Sequence, residues 1–158
     1  MLSSMISEKL IRISVEAADW KEAIRASAQP LLTEDKITQE YIDKIIEIAE
    51  ETGPYIVVAE HIALPHAPSK YGAKELAMGI TVLRTPIEFG NEANDPVKYL
   101  FCLSAKDSNS HLESLAQLVD LLEDSQFYKV LDTAKEASEI LDYIKKNDYD
   151  RLTKKLKN

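Results

Sequence analysis

Three histidines and one cysteine are the side chains best suited to nucleophilic chemistry in this chain of 158 residues, and two of the histidines share one stretch. Residues 53–68 read G-P-Y-I-V-V-A-E-H-I-A-L-P-H-A-P, with His66 between Pro65 and Ala67. Proline fixes φ and removes a backbone donor, so Pro65 and Pro68 argue against a helix here. The imidazole of His66 is therefore displayed where a short strand breaks off. His111 stands in D-S-N-S-H-L-E, directly after the strongest strand pattern of the chain. Its place is the first turn of a helix, where unpaired N–H groups and the positive dipole end make an anion site. One histidine to accept a phosphoryl group and one to stabilise it is a chemically coherent pair. Imidazole, with a free pKa of about 6.5, is mostly neutral and nucleophilic near neutral pH.

The other reactive side chains read differently. Cys102 lies inside an apolar strand with no phosphate-cradling glycine loop behind it, so it reads as a small buried residue. His61 follows Glu60 in a strand connection and reads as structural, and Asp95 in N-D-P reads as turn-making. A zinc site built from His61, His66, His111 and Asp95 is the competing chemistry. No regular element would hold His61 and His66 on one ion, because Pro65 intervenes.

The elements that must position these groups follow from periodicity. Ile11–Val15 alternates as a half-buried strand. Asp19 and Glu22 open a helix carrying Trp20, Ala23, Ile24, Ser27 and Leu31 inward, which Pro30 is expected to kink or end. Thr38 opens a second helix with Tyr41, Ile42, Ile45, Ile46 and Ala49 on one face, stopped by Gly53 and Pro54. Residues 55–59 and 62–64 read as short strands, 76–83 as a buried strand, and 97–105 as the clearest strand. Pro86, Gly90, Asn91, Asn94, Asp95 and Pro96 mark turns. Ser110 and Glu113 have capping-box spacing before a helix carrying Leu112, Leu115, Leu118, Val119 and Leu122. Residues 126–131 read as a short helix. Thr133 and Glu136 are expected to cap a last one with Ala137, Ile140, Leu141 and Ile144 inward. The pattern implies an α/β fold, a mixed β-sheet flanked by helices. The expected organisation is a single domain over 1–147 and a polar, Lys-rich, frayed tail over 148–158.

A net charge of −8 disfavours nucleic acid and anionic membrane surfaces as partners and leaves room for a basic protein. The single cysteine permits no internal disulfide, which fits a reducing compartment. No basic-then-apolar start marks a secretory signal, and no apolar run has the length of a membrane span. The expectation is a cytoplasmic protein without membrane insertion.

Four segments together, G-P-Y-I-V-V, I-A-L-P-H-A, P-I-E-F-G-N-E-A-N-D-P-V and D-S-N-S-H-L-E, resemble the IIA component of the bacterial sugar phosphotransferase system. The resemblance is to the mannitol/fructose-type superfamily and its ascorbate-type branch, and it spans residues 11–144. It implies a phosphocarrier with a mixed β-sheet flanked by helices and with no metal or organic cofactor. His66, in the L-P-H position, would take a phosphoryl group from the histidine of the carrier protein HPr. It would pass the group to a cysteine of a IIB component, with a membrane IIC permease downstream. His111 would stabilise the phosphorylated state, and ascorbate or a related sugar would be the transported substrate. The alternative is a regulatory binding module with a IIA fold that reports phosphorylation state to a protein. Mannitol- and fructose-type members carry an arginine on the helix before the first motif, where this chain has Glu47-Ile48-Ala49-Glu50-Glu51-Thr52. That departure favours the ascorbate-type branch and leaves Lys70 and Lys74 as candidate cations.

Overall fold

The alternating β-formers at 97–105 become the central strand of a mixed sheet, with helices on both of its faces. The computed structural model describes residues 1–107, 109 and 111–157. Among these, the strands are β1 (Ile11–Val15), β2 (Val57–Ala59), β3 (Ile62–Ala63), β4 (Ala77–Ile87) and β5 (Val97–Ser104). The helices are α1 (Trp20–Thr33), α2 (Gln39–Thr52), α3 (Leu112–Leu122), α4 (Ser125–Thr133) and α5 (Ala137–Lys157). The sheet order is β1-β4-β5-β3-β2. β1 pairs with β4 and β3 with β5 in parallel, whereas β4 with β5 and β2 with β3 are antiparallel.

Strand alternation divides the core between two layers. From Tyr99 to Leu103, odd positions face α3, α4 and α5, and even positions face α1 and α2. β4 does the same, with Met78, Ile80 and Val82 on one side and Ala77 and Leu83 on the other. Gly79 is needed where α1 crosses that strand. A Cβ there would stand 2.6 Å from the Leu31 Cδ1 and 3.2 Å from the Leu10 carbonyl.

The helix starts obey local chemistry. Asp19 accepts from the Glu22 N–H at 2.9 Å, and the Glu22 side chain accepts from the Ala18 N–H. Thr38 caps α2 through the Tyr41 N–H, and Gly53 closes it at φ 93°.

Four expectations need correction. Pro30 does not end α1, which runs one turn further to Thr33 with Pro30 buried on its inner face. β4 passes through Pro86, where β1 has already ended and the register against β5 is irregular, so no ladder donor is missed. Thr133 closes α4 instead of capping α5, and the Glu139 carboxylate accepts from the Lys135 and Glu136 N–H groups at 2.6 and 2.8 Å. The segment expected to fray continues α5 through Lys157. Asp148 is buried there, the Gln117 side chain donates to Asn147 and Asp148, and Arg151 pairs with Asp120. The expected cap at Ser110 lies outside the described residues. Two 3₁₀ turns, Leu2–Met5 and Glu8–Leu10, bury Leu2 and Met5 in the layer under α3, α4 and α5 and Leu10 in the layer under α1 and α2, a role the sequence pattern did not disclose.

Candidate functional site

The two histidines expected to work together lie beyond the C-terminal ends of neighbouring parallel strands. β3 ends at Ala63 with His66 three residues on, and β5 ends at Ser104 with His111 seven residues on. Parallel pairing brings both to one end of the sheet. That is the usual place for a site in an α/β fold, where loops carry chemistry and strands fix their bases. His61 lies at the other end of β3.

His66 is held in one tautomer. Its Nδ1 lies 2.6 Å from the Leu64 carbonyl oxygen. A carbonyl can only accept, so Nδ1 carries the proton and Nε2 the lone pair. The ring is half-buried, and its Nε2 makes no hydrogen bond among the described residues. The peptide groups on either side are anchored at several points. The Leu64 N–H donates to the Ile56 carbonyl at 2.7 Å, and the Leu103 N–H to the Pro65 carbonyl at 3.0 Å. The second bond carries the β3–β5 pairing past the strand end and fixes the loop on which His66 sits.

Two tyrosines complete the support, and sequence reasoning missed both as site residues. The Tyr55 hydroxyl donates to the His66 carbonyl, and its ring meets the imidazole edge-on with centroids 5.5 Å apart. The Tyr41 hydroxyl donates to the Leu103 carbonyl at 2.7 Å and accepts from the Ala67 N–H at 3.1 Å. Burial pushes the Tyr55 phenol up to about 12 and the Tyr41 phenol well above its ordinary value, so both remain hydroxyls near neutral pH. A buried tyrosine is expected to find a partner for its hydroxyl, which was the available signal. The sequence could not say which carbonyl.

His111 occupies the N-cap position of α3 and is buried, at 8% exposure. Its carbonyl accepts from the Leu115 N–H at 2.9 Å. Its Nδ1 is buried and has no hydrogen-bond partner among the described residues. Asp107 turns the preceding loop by accepting from the Asn109 N–H.

The remaining candidates are engaged elsewhere. His61 adopts φ 66°, its Nδ1 donates to the Pro96 carbonyl at 2.7 Å, and its Nε2 lies 3.1 Å from Glu60. Asp95 accepts from the Phe89 and Gly90 N–H groups, each at 2.9 Å, beside a cis peptide bond to Pro96. It makes the turn. Cys102 is fully buried, which pushes its thiol up to about 12 and leaves no thiolate to react. Lys74 pairs with Asp35, and the Lys70 ammonium lies 5.1 Å from the centre of the Tyr71 ring. Among the described residues, no three His, Cys, Asp or Glu side chains are placed to share a metal ion.

A displayed, tautomer-locked imidazole at the same end of the sheet as a helix N-terminus suits phosphoryl chemistry, and comparison with known proteins decides the lineage. Residues 4–147 match the family model described as phosphoenolpyruvate-dependent sugar phosphotransferase system, EIIA 2. The chain belongs to that EIIA family. It is 34% identical over 142 residues to the ascorbate-specific PTS system EIIA component of Escherichia coli (strain K12), covering 89% of this chain and 92% of that one. The solution structure of the mannitol-specific cryptic phosphotransferase enzyme IIA CmtB from Escherichia coli superimposes with a TM-score of 0.78 at 33% identity. That match covers 89% of this chain and 95% of the other. The mannitol IIA in the Escherichia coli complex of enzyme IIA and phosphorylated enzyme IIB shares the fold, with a TM-score of 0.73 at 21% identity, covering 87% and 94% of the two chains. The fold is thus the mixed-sheet α/β architecture of mannitol-type IIA proteins. As an EIIA component, the chain is a phosphotransferase phosphocarrier. No helix among the described residues is long and apolar enough to cross a membrane.

Proposed function

We propose that Nε2 of His66 is the atom that carries the phosphoryl group. The observation behind this is the bond from Nδ1 to the Leu64 carbonyl, which leaves the lone pair on Nε2. In the first step the Nε2 lone pair attacks phosphorus as the N–P bond of phosphohistidine in HPr breaks, and the HPr imidazole leaves with its electron pair. In the second, a cysteine thiolate of a IIB component attacks the same phosphorus, an S–P bond forms, and Nε2 recovers its lone pair. Each step is an in-line exchange, so the protein's contribution is positioning and charge stabilisation of the equatorial oxygens.

His111 supplies the second function. Its buried Nδ1 has no hydrogen-bond partner among the described residues, and with the proton on Nε2 the ring can donate to a phosphoryl oxygen. The N-terminus of α3 adds the positive end of its dipole. That arrangement needs no arginine at the α2 positions, where this chain has Glu47, Glu50 and Glu51.

The IIB partner is supported by the relative solved as a complex with phosphorylated IIB. Transport of ascorbate or a related sugar through a IIC permease is supported by the name of the 34% identical relative. Such a carrier works at the cytoplasmic face of the membrane.

The test is phosphorylation with phosphoenolpyruvate, enzyme I and HPr, read by intact mass for the wild type and His66→Ala. The expected result is an acid-labile gain of one phosphoryl group in the wild type alone. A gain in His66→Ala would move the site elsewhere, and no gain in either would overturn the carrier reading.

A further inference from the structure

The peptide group that follows His66 is held at both of its polar atoms by tyrosine hydroxyls from two different segments. Its oxygen, the His66 carbonyl, accepts from Tyr55, and its N–H, that of Ala67, donates to Tyr41. Tyr41 is 1% exposed and uses its hydroxyl twice, because it also donates to the Leu103 carbonyl. Leu103 is the same residue whose N–H holds the Pro65 carbonyl. The loop is therefore tied to β5 on one side and to the start of the β2 segment on the other.

We propose that Tyr55 is a positioning residue for phosphoryl transfer, orienting the peptide plane after His66 and the imidazole ring so that Nε2 alone is presented. This rests on the reading of His66 as the acceptor. The hydroxyl bond to the His66 carbonyl seats the Tyr55 ring edge-on against the imidazole, 67° from its plane. Held there, the ring restricts rotation about the histidine Cβ–Cγ bond, and Nδ1 stays on the Leu64 carbonyl at 2.6 Å. With the ring free to move, that bond competes with water and the imidazole samples both tautomers, only one of which has its lone pair on Nε2. Such preorganisation matters in proportion to the accuracy an in-line exchange demands. Because its phenol is held well above its ordinary value by burial, Tyr55 keeps its donor proton throughout the neutral range.

Tyr55→Phe removes the hydroxyl and keeps the ring; Tyr55→Leu removes both. The first measurement is the pair of ¹⁵N shifts of the His66 ring in the unphosphorylated full chain, which needs no partner protein. The second is the single-turnover rate of phosphoryl uptake from phosphorylated HPr, with thermal melting to confirm folding. Tyr55→Phe is expected to move the ¹⁵N shifts from one Nδ1–H tautomer towards a mixture. Uptake should slow by about tenfold, the loss of one hydrogen bond felt in the transition state. Tyr55→Leu should go further in both. A folded Tyr55→Phe protein with wild-type ¹⁵N shifts, or with shifted tautomers and wild-type uptake, would overturn the proposal. A wild type that takes up no phosphoryl group would instead sink the reading of His66, while the ¹⁵N comparison would still report whether Tyr55 orients the ring.

Discussion

His61 and His66 stand at the two ends of the two-residue strand β3 and share one device. In each, Nδ1 donates to a backbone carbonyl, that of Pro96 for His61 and of Leu64 for His66. Nδ1 therefore carries a proton in both. They differ at the other nitrogen. In His61, Nε2 lies against the Glu60 carboxylate at 3.1 Å, whereas Nε2 of His66 is unengaged among the described residues. Their backbones differ as well. His61 turns the β2–β3 connection at positive φ and uses its N–H and carbonyl to bind Asn94, Lys98 and Tyr99. His66 sits on a loop whose carbonyl and following N–H are bound by tyrosines. An Nδ1–H anchored on a carbonyl is therefore compatible with a structural role, and a reactive imidazole additionally needs a free nitrogen directed away from its anchors.

The largest effect that could break this comparison is the reactivity itself. His66→Ala should abolish phosphoryl uptake, and His61→Ala should retain it. Uptake lost equally in both variants, with folding intact, would show that the ring at 61 is not merely structural. Next in size is His111→Ala. It should slow transfer by about 10²–10³-fold, the usual loss for one donor to a developing anionic charge, without abolishing labelling. A wild-type single-turnover rate in that variant would remove His111 from the mechanism and leave the α3 N-terminus to act alone.

Much of this contrast was legible in the sequence. The prolines around His66 pointed to a displayed ring, and strand alternation at 97–105 fixed the neighbour that supports it. Asp95 was readable as a turn-maker because its side chain bonds its own locality, at Phe89 and Gly90. Tyr41 was readable only as far as its burial. Its helical spacing placed it inward, but its partner Leu103 is 62 residues away, and no local pattern encodes that distance. The end of α5 was misread for a different reason. Its Lys, Arg and Leu residues are strong helix formers, and a polar face on a projecting helix has the composition of a frayed tail. The 3₁₀ turns before β1 are too short to show any period.

A smaller expected effect separates the support from the chemistry. Tyr41→Phe keeps the ring in the core but leaves the Leu103 carbonyl and the Ala67 N–H without their partner. An unsatisfied buried group costs about 1–3 kcal/mol. For a chain of this size that corresponds to a fall in melting temperature of about 2–10 °C. The loss should appear in thermal melting and in faster amide exchange at Ala67. A melting temperature unchanged from the wild type would mean that water replaces the hydroxyl, and that the loop is held well enough by its bonds to Leu103, Ile56 and Tyr55.

The smallest effect on function should come from the far end of β3. Asp95→Ala removes the acceptor for the Phe89 and Gly90 N–H groups and loosens the turn bearing Pro96, the anchor of His61. Two bonds to a carboxylate in a partly exposed turn are together worth about 1–2 kcal/mol of stability. The His66 loop is fastened by different groups, Leu103, Tyr41 and Tyr55, none of which contacts that turn through a hydrogen bond. Distant sites without shared partners act almost independently, so phosphoryl uptake at a temperature where the variant is folded should stay within about twofold of wild type. Slowing comparable to that of His111→Ala would mean that β3 transmits the state of its His61 end to its His66 end, and that the two histidines form one coupled unit.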